Sequence, residues 1–120
     1  MGKKTIMIVD DEMGIREITK KFLINIGYNA VAIGSGQEAL DQLETIDPDL
    51  ILLDIEMPGI DGFTVCKEVR KQSSVPIIFL TVRRETADRE KCFALGADDF
   101  MTKPFQFDAL KDRIKKNIAS

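Results

Sequence analysis

The chain of 120 residues contains no histidine and no tryptophan. Without histidine it cannot by itself form a Ser-His-Asp triad, a Cys-His pair or a histidine-ligated zinc site. Any chemistry must therefore use carboxylates, lysine, hydroxyl groups or a bound cofactor. The 17 Lys and Arg residues against 20 Asp and Glu give a net charge of -3, which offers no overall basic surface for nucleic acid.

Cysteine and long apolar runs are also scarce. Cys66 and Cys92 lack the CxxC spacing of a metal or redox site, so we expect plain buried or half-buried thiols, with a disulfide or redox pair as the alternative. No run is long enough to span a bilayer, and residues 1–4 lead directly into a predicted strand rather than a signal peptide. These features predict a cytoplasmic protein with a single domain over residues 1–120.

Five short apolar runs, in part β-branched, predict strands buried on both faces of a sheet. The runs are Thr5–Val9, Ala30–Ile33, Leu50–Leu53, Ile77–Leu80 and Phe100–Thr102. Strands that alternate with helical segments predict an α/β fold, with a doubly wound parallel sheet of five strands and helices on both faces. At this length the flavodoxin-like strand order 2-1-3-4-5 fits better than the longer Rossmann order.

The segments between the runs have the apolar spacing of amphipathic helices. The apolar positions of the first and last helix are Ile15, Ile18, Phe22 and Ile26, and Leu110, Ile114 and Ile118. Ser35 and Glu38 match a capping box before the second helix. A basic run in the last helix is interpreted as a solvated face rather than a nucleic-acid patch. It consists of Lys111, Arg113, Lys115 and Lys116.

Residues 34–39 match the GxGxxA pattern of a dinucleotide-binding loop, and Asp54 follows about 20 residues further on. We do not favour this function, because the pattern follows the second predicted strand rather than the first. Glu38 would also repel a pyrophosphate at that helix N-terminus, and the chain lacks the strands that would complete a dinucleotide site.

Charged and hydroxyl side chains follow four predicted strands at their carboxyl ends. Asp10 and Asp11 follow the first strand, Asp54 the third, Thr81 the fourth and Lys103 the fifth. In doubly wound sheets ligands bind at this edge, between strands 1 and 3, so we expect these side chains to converge. Carboxylate ligands favour Mg²⁺, while Lys103 and the Thr81 hydroxyl suit a phosphoryl group. Asp54 is the best-placed nucleophile for an acyl phosphate.

Each of these residues has an ordinary explanation when it is taken singly. An aspartate after a strand commonly caps a helix or closes a turn. Thr81 alone would be a strand-end hydroxyl, and Lys103 alone a solvated surface lysine. The coincidence of four strand ends favours a site for magnesium and a phosphoryl group.

Four groups of residues carry a resemblance to the response-regulator receiver domain of two-component signalling, which extends over nearly the whole chain. The matching segments are residues 8–12 (IVDDE), 52–59 (LLDIEMPG) with 61–62 (DG), 80–81 (LT), and 96–100 (GADDF) with 103–105 (KPF). The resemblance implies that Asp54 accepts a phosphoryl group from a phosphohistidine of a sensor kinase or phosphotransfer protein, in a reaction that requires Mg²⁺.

The resemblance also implies roles for neighbouring residues. Asp11 would bind Mg²⁺ directly and Asp10 through water, while Asp54 and the backbone carbonyl of Glu56 would complete the protein ligands. Lys103 would pair with the phosphoryl group or with Asp54.

The implied switch begins at Thr81, whose hydroxyl would swing toward the phosphoryl oxygen, and Phe100 would turn inward into the vacated space. Without the resemblance, Phe100 would be read as a core aromatic. The bond between Lys103 and Pro104 is expected to be cis. The implied output surface comprises strand 5 and its flanking helices, residues 84–95 and 107–118.

The chain differs from the usual receiver pattern at Val82, where the family commonly has Ala or Gly. A β-branched side chain there is expected to narrow access to Asp54 and to slow phosphotransfer. Glu56 and Arg83 occupy positions that tune the phosphoryl lifetime in the family. Their opposite charges lead us to expect a pair across the mouth of the site that shields the acyl phosphate from water.

Two other functions share parts of this pattern. A Mg²⁺-dependent phosphohydrolase with an aspartyl nucleophile would need most of the same residues, but the chain lacks a DxD pair at one strand end and a cap insertion. A flavodoxin-like electron carrier is disfavoured because Asp10 and Asp11 would repel the FMN phosphate. We therefore expect a phosphorylation switch rather than an enzyme. Such a switch catalyses only its own phosphoryl transfer and its own slow dephosphorylation.

The expected partners follow from the resemblance. They are a histidine kinase or phosphotransfer protein, a downstream effector domain or protein, and a second copy in a phosphorylation-linked homodimer. Neither a membrane nor direct nucleic-acid binding by this domain is expected. A stand-alone regulator and a receiver excised from a longer protein both remain open.

Overall fold

The structure, a computed structural model, describes residues 2–118. Five strands alternate with five helices: β1 (Thr5–Val9), α1 (Met13–Asn25), β2 (Asn29–Ile33), α2 (Gly36–Ile46), β3 (Leu50–Leu53), α3 (Gly62–Arg70), β4 (Ile77–Thr81), α4 (Thr86–Ala94), β5 (Asp99–Thr102) and α5 (Phe107–Asn117). The predicted single domain also includes Met1, Ala119 and Ser120, which lie outside the described residues.

All the strands pair in parallel, in the order β2-β1-β3-β4-β5. This confirms the predicted flavodoxin-like topology. Three strands are one residue longer than the apolar runs, and the added residues are polar. Asn29 pairs with Thr5, and Thr81 pairs with Thr102. Hydrophobicity alone misses such ends, because a polar residue can make the same ladder hydrogen bonds.

Two apolar cores lie on opposite faces of the sheet. Successive strand residues alternate between them, so Ile8 packs on the face of α1 and α5, while Val9 packs on the face of α2, α3 and α4. Leu110 and Ile114 of α5 are fully buried, as their spacing predicts. None of the helices within residues 2–118 is long and apolar enough to cross a membrane.

The predicted helix α1 is present, but its predicted buried face is partly wrong. Ile18 is 53% exposed, whereas Thr19 and Leu23 are buried. The sheet contacts the helix one residue further along than the apolar spacing suggests. Ile15 and Ile18 instead line a cleft at the carboxyl edge of the sheet, so their apolar character does not mean that they are buried in the core.

The glycine-rich start of α2 has a structural explanation. Ser35 Oγ accepts a hydrogen bond from the Glu38 backbone N–H at 3.1 Å, which confirms half of the capping box. The Glu38 carboxylate instead accepts from the Gln42 amide. A Cβ on Gly36 would lie 2.7 Å from the Val65 side chain, so glycine permits close packing of α2 on α3.

The two cysteines are buried free thiols, as expected, and burial raises the pKa of Cys92 to about 12. The basic run of α5 is more varied than predicted. Lys115 and Lys116 are exposed, whereas Arg113 donates to the buried Asp99 carboxylate at 2.5 Å. Arg113 therefore links α5 to β5, while 43% of its side-chain surface stays accessible to solvent.

Candidate functional site

Main-chain hydrogen bonds extend the sheet ladder past the strand ends and place the side chains of the site at one edge. The Asp54 N–H donates to the carbonyl of Val9 at 3.0 Å, and the Lys103 N–H donates to the carbonyl of Thr81 at 2.8 Å. The Asp10 N–H is held in the same way by β2. These three residues therefore leave the sheet from fixed positions at its carboxyl edge.

Lys103 joins two of the carboxylates. Its Nζ lies 2.5 Å from Asp10 Oδ2 and 3.4 Å from Asp54 Oδ2. Asp11 is exposed and completes a cluster in which Asp10, Asp11 and Asp54 each place one carboxylate oxygen within 4.8 Å of the others. The structure thus brings together four of the residues that the strand-end pattern singled out.

Burial and charge act against each other in this cluster. Burial raises the pKa of Asp54, and the positive charge of Lys103 partly offsets this effect. Burial alone would lower the pKa of Lys103, but its hydrogen bond to Asp10 and the charge of Asp54 outweigh that cost, so the net shift is upward. Lys103 is therefore a fixed cation beside Asp54.

The donor set fits Mg²⁺. Counted by formal charge, three carboxylates and one ammonium leave two negative charges (three less one) on the cluster, which suits a divalent cation. All three donors are hard oxygens, and Asp11 is exposed on the cleft, where water can complete the octahedral shell that Mg²⁺ prefers.

The cluster lies in a cleft of about 1010 Å³. Asp11, Asp54, Glu56, Arg83 and Lys103 are among its polar lining residues, and Ile15, Ile18, Val82, Pro104, Phe105 and Phe107 are among its apolar ones. The Asp54 side chain keeps 12% of its surface accessible, so its carboxylate is open to a small group in the cleft. The Lys103–Pro104 peptide bond at the rim is cis, as expected.

The opposite charges at the mouth are paired. Arg83 Nε donates to Glu56 Oε1 at 2.9 Å, and Arg83 Nη1 donates to Asp88 Oδ1 at 3.1 Å. Val82 is 60% exposed and forms part of the cleft wall beside this pair.

Thr81 and Phe100 lie behind the cleft rather than in its lining. Thr81 is fully buried, and its Oγ1 accepts a hydrogen bond from the Arg83 backbone N–H at 3.2 Å. Phe100 is 5% exposed and belongs to the core cluster that includes Phe79. The aromatic ring is therefore already in the interior in this structure.

Two further residues position the site through contacts that the sequence does not reveal. Arg16 Nη1 donates to the backbone carbonyls of Asp10 and Asp11, both at 3.2 Å, and so supports the loop after β1. An added Cβ on Gly62 would lie 2.1 Å from the carbonyl oxygen of Asp54. In the sequence Gly62 belongs to a segment that resembles the receiver pattern, but the close approach that explains it exists only after folding.

Comparisons with known proteins agree with this geometry. The family model for the response regulator receiver domain matches residues 6–115. The probable transcriptional regulator ycf27 of Cyanophora paradoxa is 45% identical over 115 residues, 96% of this chain and 48% of that protein. The chain therefore spans about half the length of the curated relatives it matches.

Solved structures share the fold closely. A putative response regulator from Chloroflexus aurantiacus has a TM-score of 0.92 and 36% identity, with 98% of this chain and 99% of that chain covered. The chemotaxis protein CheY4 of Vibrio cholerae has a TM-score of 0.93 and 29% identity, with 98% and 100% covered.

Proposed function

Because this chain belongs to the response regulator receiver domain family, we propose that it is a Mg²⁺-dependent phosphorylation switch whose acceptor is Asp54. The observation that carries the proposal is the position of the Asp54 carboxylate. It contacts the Lys103 ammonium, shares a cluster with Asp10 and Asp11, and is accessible from the cleft.

In the proposed reaction an Asp54 carboxylate oxygen attacks the phosphorus of a phosphohistidine on a sensor kinase or phosphotransfer protein. A new P–O bond forms, the P–N bond breaks, and the imidazole leaves with the electron pair. That imidazole belongs to the partner, since this chain contains no histidine. Lys103 offsets negative charge on the phosphoryl oxygens throughout.

Mg²⁺ would supply further positive charge to the phosphoryl oxygens. Asp10, Asp11 and Asp54, with the backbone carbonyl of Glu56, would hold it. Like other receivers, the domain is a phospho-acceptor switch, and we infer that its only catalysis is its own phosphorylation and slow dephosphorylation. The family match gives no support to the phosphohydrolase alternative.

The output would begin at Thr81. In this structure its Oγ1 accepts a hydrogen bond from the Arg83 backbone N–H. A rotation that brings the hydroxyl to a phosphoryl oxygen on Asp54 would carry Oγ1 away from that N–H. Phe100 is already buried, so the proposed switch depends first on Thr81 and the loop after β4. Strand β5 with residues 84–95 and 107–118 would carry the change to a partner.

The proposed partners are a kinase or phosphotransfer protein, an effector domain or protein, and a second copy of the chain. The relatives are named transcriptional regulators and are about twice as long as the matched region. We therefore favour a receiver that works with an effector domain in a longer cytoplasmic regulator. That effector, and not this domain, would bind nucleic acid.

Incubation with Mg²⁺ and acetyl phosphate tests the acceptor function. We expect about one phosphoryl group per chain, released by hydroxylamine as an acyl phosphate is, and no label when EDTA removes the metal. Intact-mass spectrometry measures the stoichiometry. Labelling that persists in EDTA would argue against the metal requirement, and repeated turnover of many phosphate monoesters would indicate a hydrolase.

The Glu56–Arg83 pair and Val82 are proposed to set the phosphoryl lifetime by limiting access of water. Arg83→Ala is expected to raise the first-order rate of dephosphorylation about fivefold, equivalent to about 1 kcal/mol of activation free energy. The rate is followed after removal of the phosphoryl donor. Lys71→Ala, which removes a surface ion pair with Glu68 on α3, is the control, and an unchanged rate in Arg83→Ala contradicts the shielding role.

A further inference from the structure

Arg83 connects the mouth of the site to helix α4. Its guanidinium binds Glu56, two residues after the proposed acceptor, and Asp88, in the first turn of α4. Its backbone N–H also holds the Thr81 hydroxyl, and its guanidinium lies 5.7 Å from the centre of the Phe63 ring. One residue therefore contacts the acceptor loop, the proposed switch hydroxyl, α3 and α4.

Helix α4 is held to the rest of the protein with little apolar burial. Cys92 is its buried residue, whereas α3 buries five residues. Charged side chains make other contacts: Lys91 Nζ lies 4.2 Å from the centre of the Phe63 ring, and the Arg89 guanidinium 5.8 Å from that of Phe100. A small change in electrostatic energy at the start of this helix can therefore alter its position.

We propose that Arg83 is a charge-responsive latch that ties α4 to the unphosphorylated site and releases it on phosphorylation. The proposal rests on phosphorylation of Asp54. A phosphoryl group would bring a charge of about -1.5 to -2 into the cleft that Arg83 and Glu56 line. This charge competes with Asp88 for the guanidinium.

Movement of Arg83 toward the cleft loosens the tie to α4 and also shifts the N–H that holds Thr81. The proposal couples the two events through movement of the Arg83 backbone together with its guanidinium. By thermodynamic linkage, the factor by which a bound phosphoryl group weakens the Arg83–Asp88 pair equals the factor by which that pair weakens phosphoryl binding, so removal of the pair is expected to strengthen phosphoryl binding. The proposal therefore predicts that Asp88, which lies outside the cleft, affects the affinity for a phosphoryl group.

Asp88→Asn tests the latch, because it removes the α4 half of the pair and leaves the residues of the cleft unchanged. With Mg²⁺ and beryllofluoride as the phosphoryl mimic, we expect about threefold tighter binding by fluorine NMR, the size typical of an exposed ion pair. Without either ligand, the backbone amides of residues 86–94 are expected to exchange with deuterium about threefold faster. Glu90→Gln removes the same charge from an exposed position of the same helix and serves as the control.

Arg83→Gln distinguishes loss of the Arg83–Asp88 pair from a general destabilisation of the N-terminus of α4. Asp88→Asn also removes a favourable charge near the helix dipole, whereas Arg83→Gln does not alter α4 itself. Both substitutions remove the same Arg83–Asp88 ion pair. The α4 amides of the double variant should therefore exchange no faster than those of Asp88→Asn alone. Additive effects on exchange, or unchanged affinity in Asp88→Asn, overturn the latch. If the wild type fails to bind beryllofluoride, the acceptor function fails, while the exchange measurements without ligand still decide whether the latch exists.

Discussion

Asp54→Asn is expected to reduce phosphoryl labelling by acetyl phosphate to less than about one hundredth of the wild-type level. An amide oxygen lacks the negative charge that makes a carboxylate a competent nucleophile. The fold should persist, since asparagine has nearly the same shape and the change removes one of three clustered negative charges. Radiolabel incorporation with Mg²⁺ present measures the effect.

Asp61→Asn is the matched control for this experiment. Asp61 lines the same cleft, but its carboxylate caps α3 by accepting a hydrogen bond from the Thr64 N–H at 2.9 Å. Asparagine caps helices as well as aspartate does, so stability and labelling should both be retained. Labelling that survives in Asp54→Asn would place the acceptor elsewhere, with Asp10 and Asp11 as the next residues to replace.

Gly62→Ala is expected to lower the free energy of unfolding by about 3 kcal/mol, the upper part of the range for overpacked sites. The added Cβ would lie 2.1 Å from the carbonyl oxygen of Asp54 and 2.8 Å from the Cα of Ile55. Both are backbone atoms, so no side-chain rotation can relieve the clash. The acceptor must move instead, and labelling should fall with stability. Urea denaturation followed by circular dichroism gives the first quantity.

Gly14→Ala is the control for the glycine replacement. Gly14 lies in α1, and a Cβ there would meet no atom within 4 Å. Gly14 is in the first turn of α1, so alanine there should stabilise the protein by up to about 0.5 kcal/mol, less than in a helix interior. A denaturation midpoint for Gly62→Ala close to that of the wild type would show that the loop before α3 can shift without cost.

Most of the fold could be predicted because its pattern is local. Each strand is a short apolar run, and the rule that parallel strands end at one edge brings Asp10, Asp54 and Lys103 together without any knowledge of distances. The buried face of α1 was less predictable, because the apolar side chain of Ile18 lines the cleft and does not pack in the core. Periodicity records which residues are apolar, and not what they contact.

The parts of the site that could not be predicted depend on tertiary contacts. The hydrogen bonds of Arg16 to the loop after β1 are one example, because no sequence pattern indicates that these residues are in contact. The orientation of Thr81 is also set by a neighbour, the Arg83 N–H, rather than by its own strand. The opposite charges of Glu56 and Arg83 could be paired from the sequence, whereas the second partner of Arg83, Asp88, became apparent only with helix α4 in place.

The backbone hydrogen bonds that place Asp54 and Lys103 have a consequence for protein engineering. They involve main-chain atoms of the sheet, which almost any side chain leaves intact. The main-chain positions of Asp54 and Lys103 are thus set largely by neighbouring strands of the sheet. Exchange of Glu56, Val82 and Arg83 between receivers is therefore expected to change the kinetics of the signal while the main-chain positions of Asp54 and Lys103 stay the same.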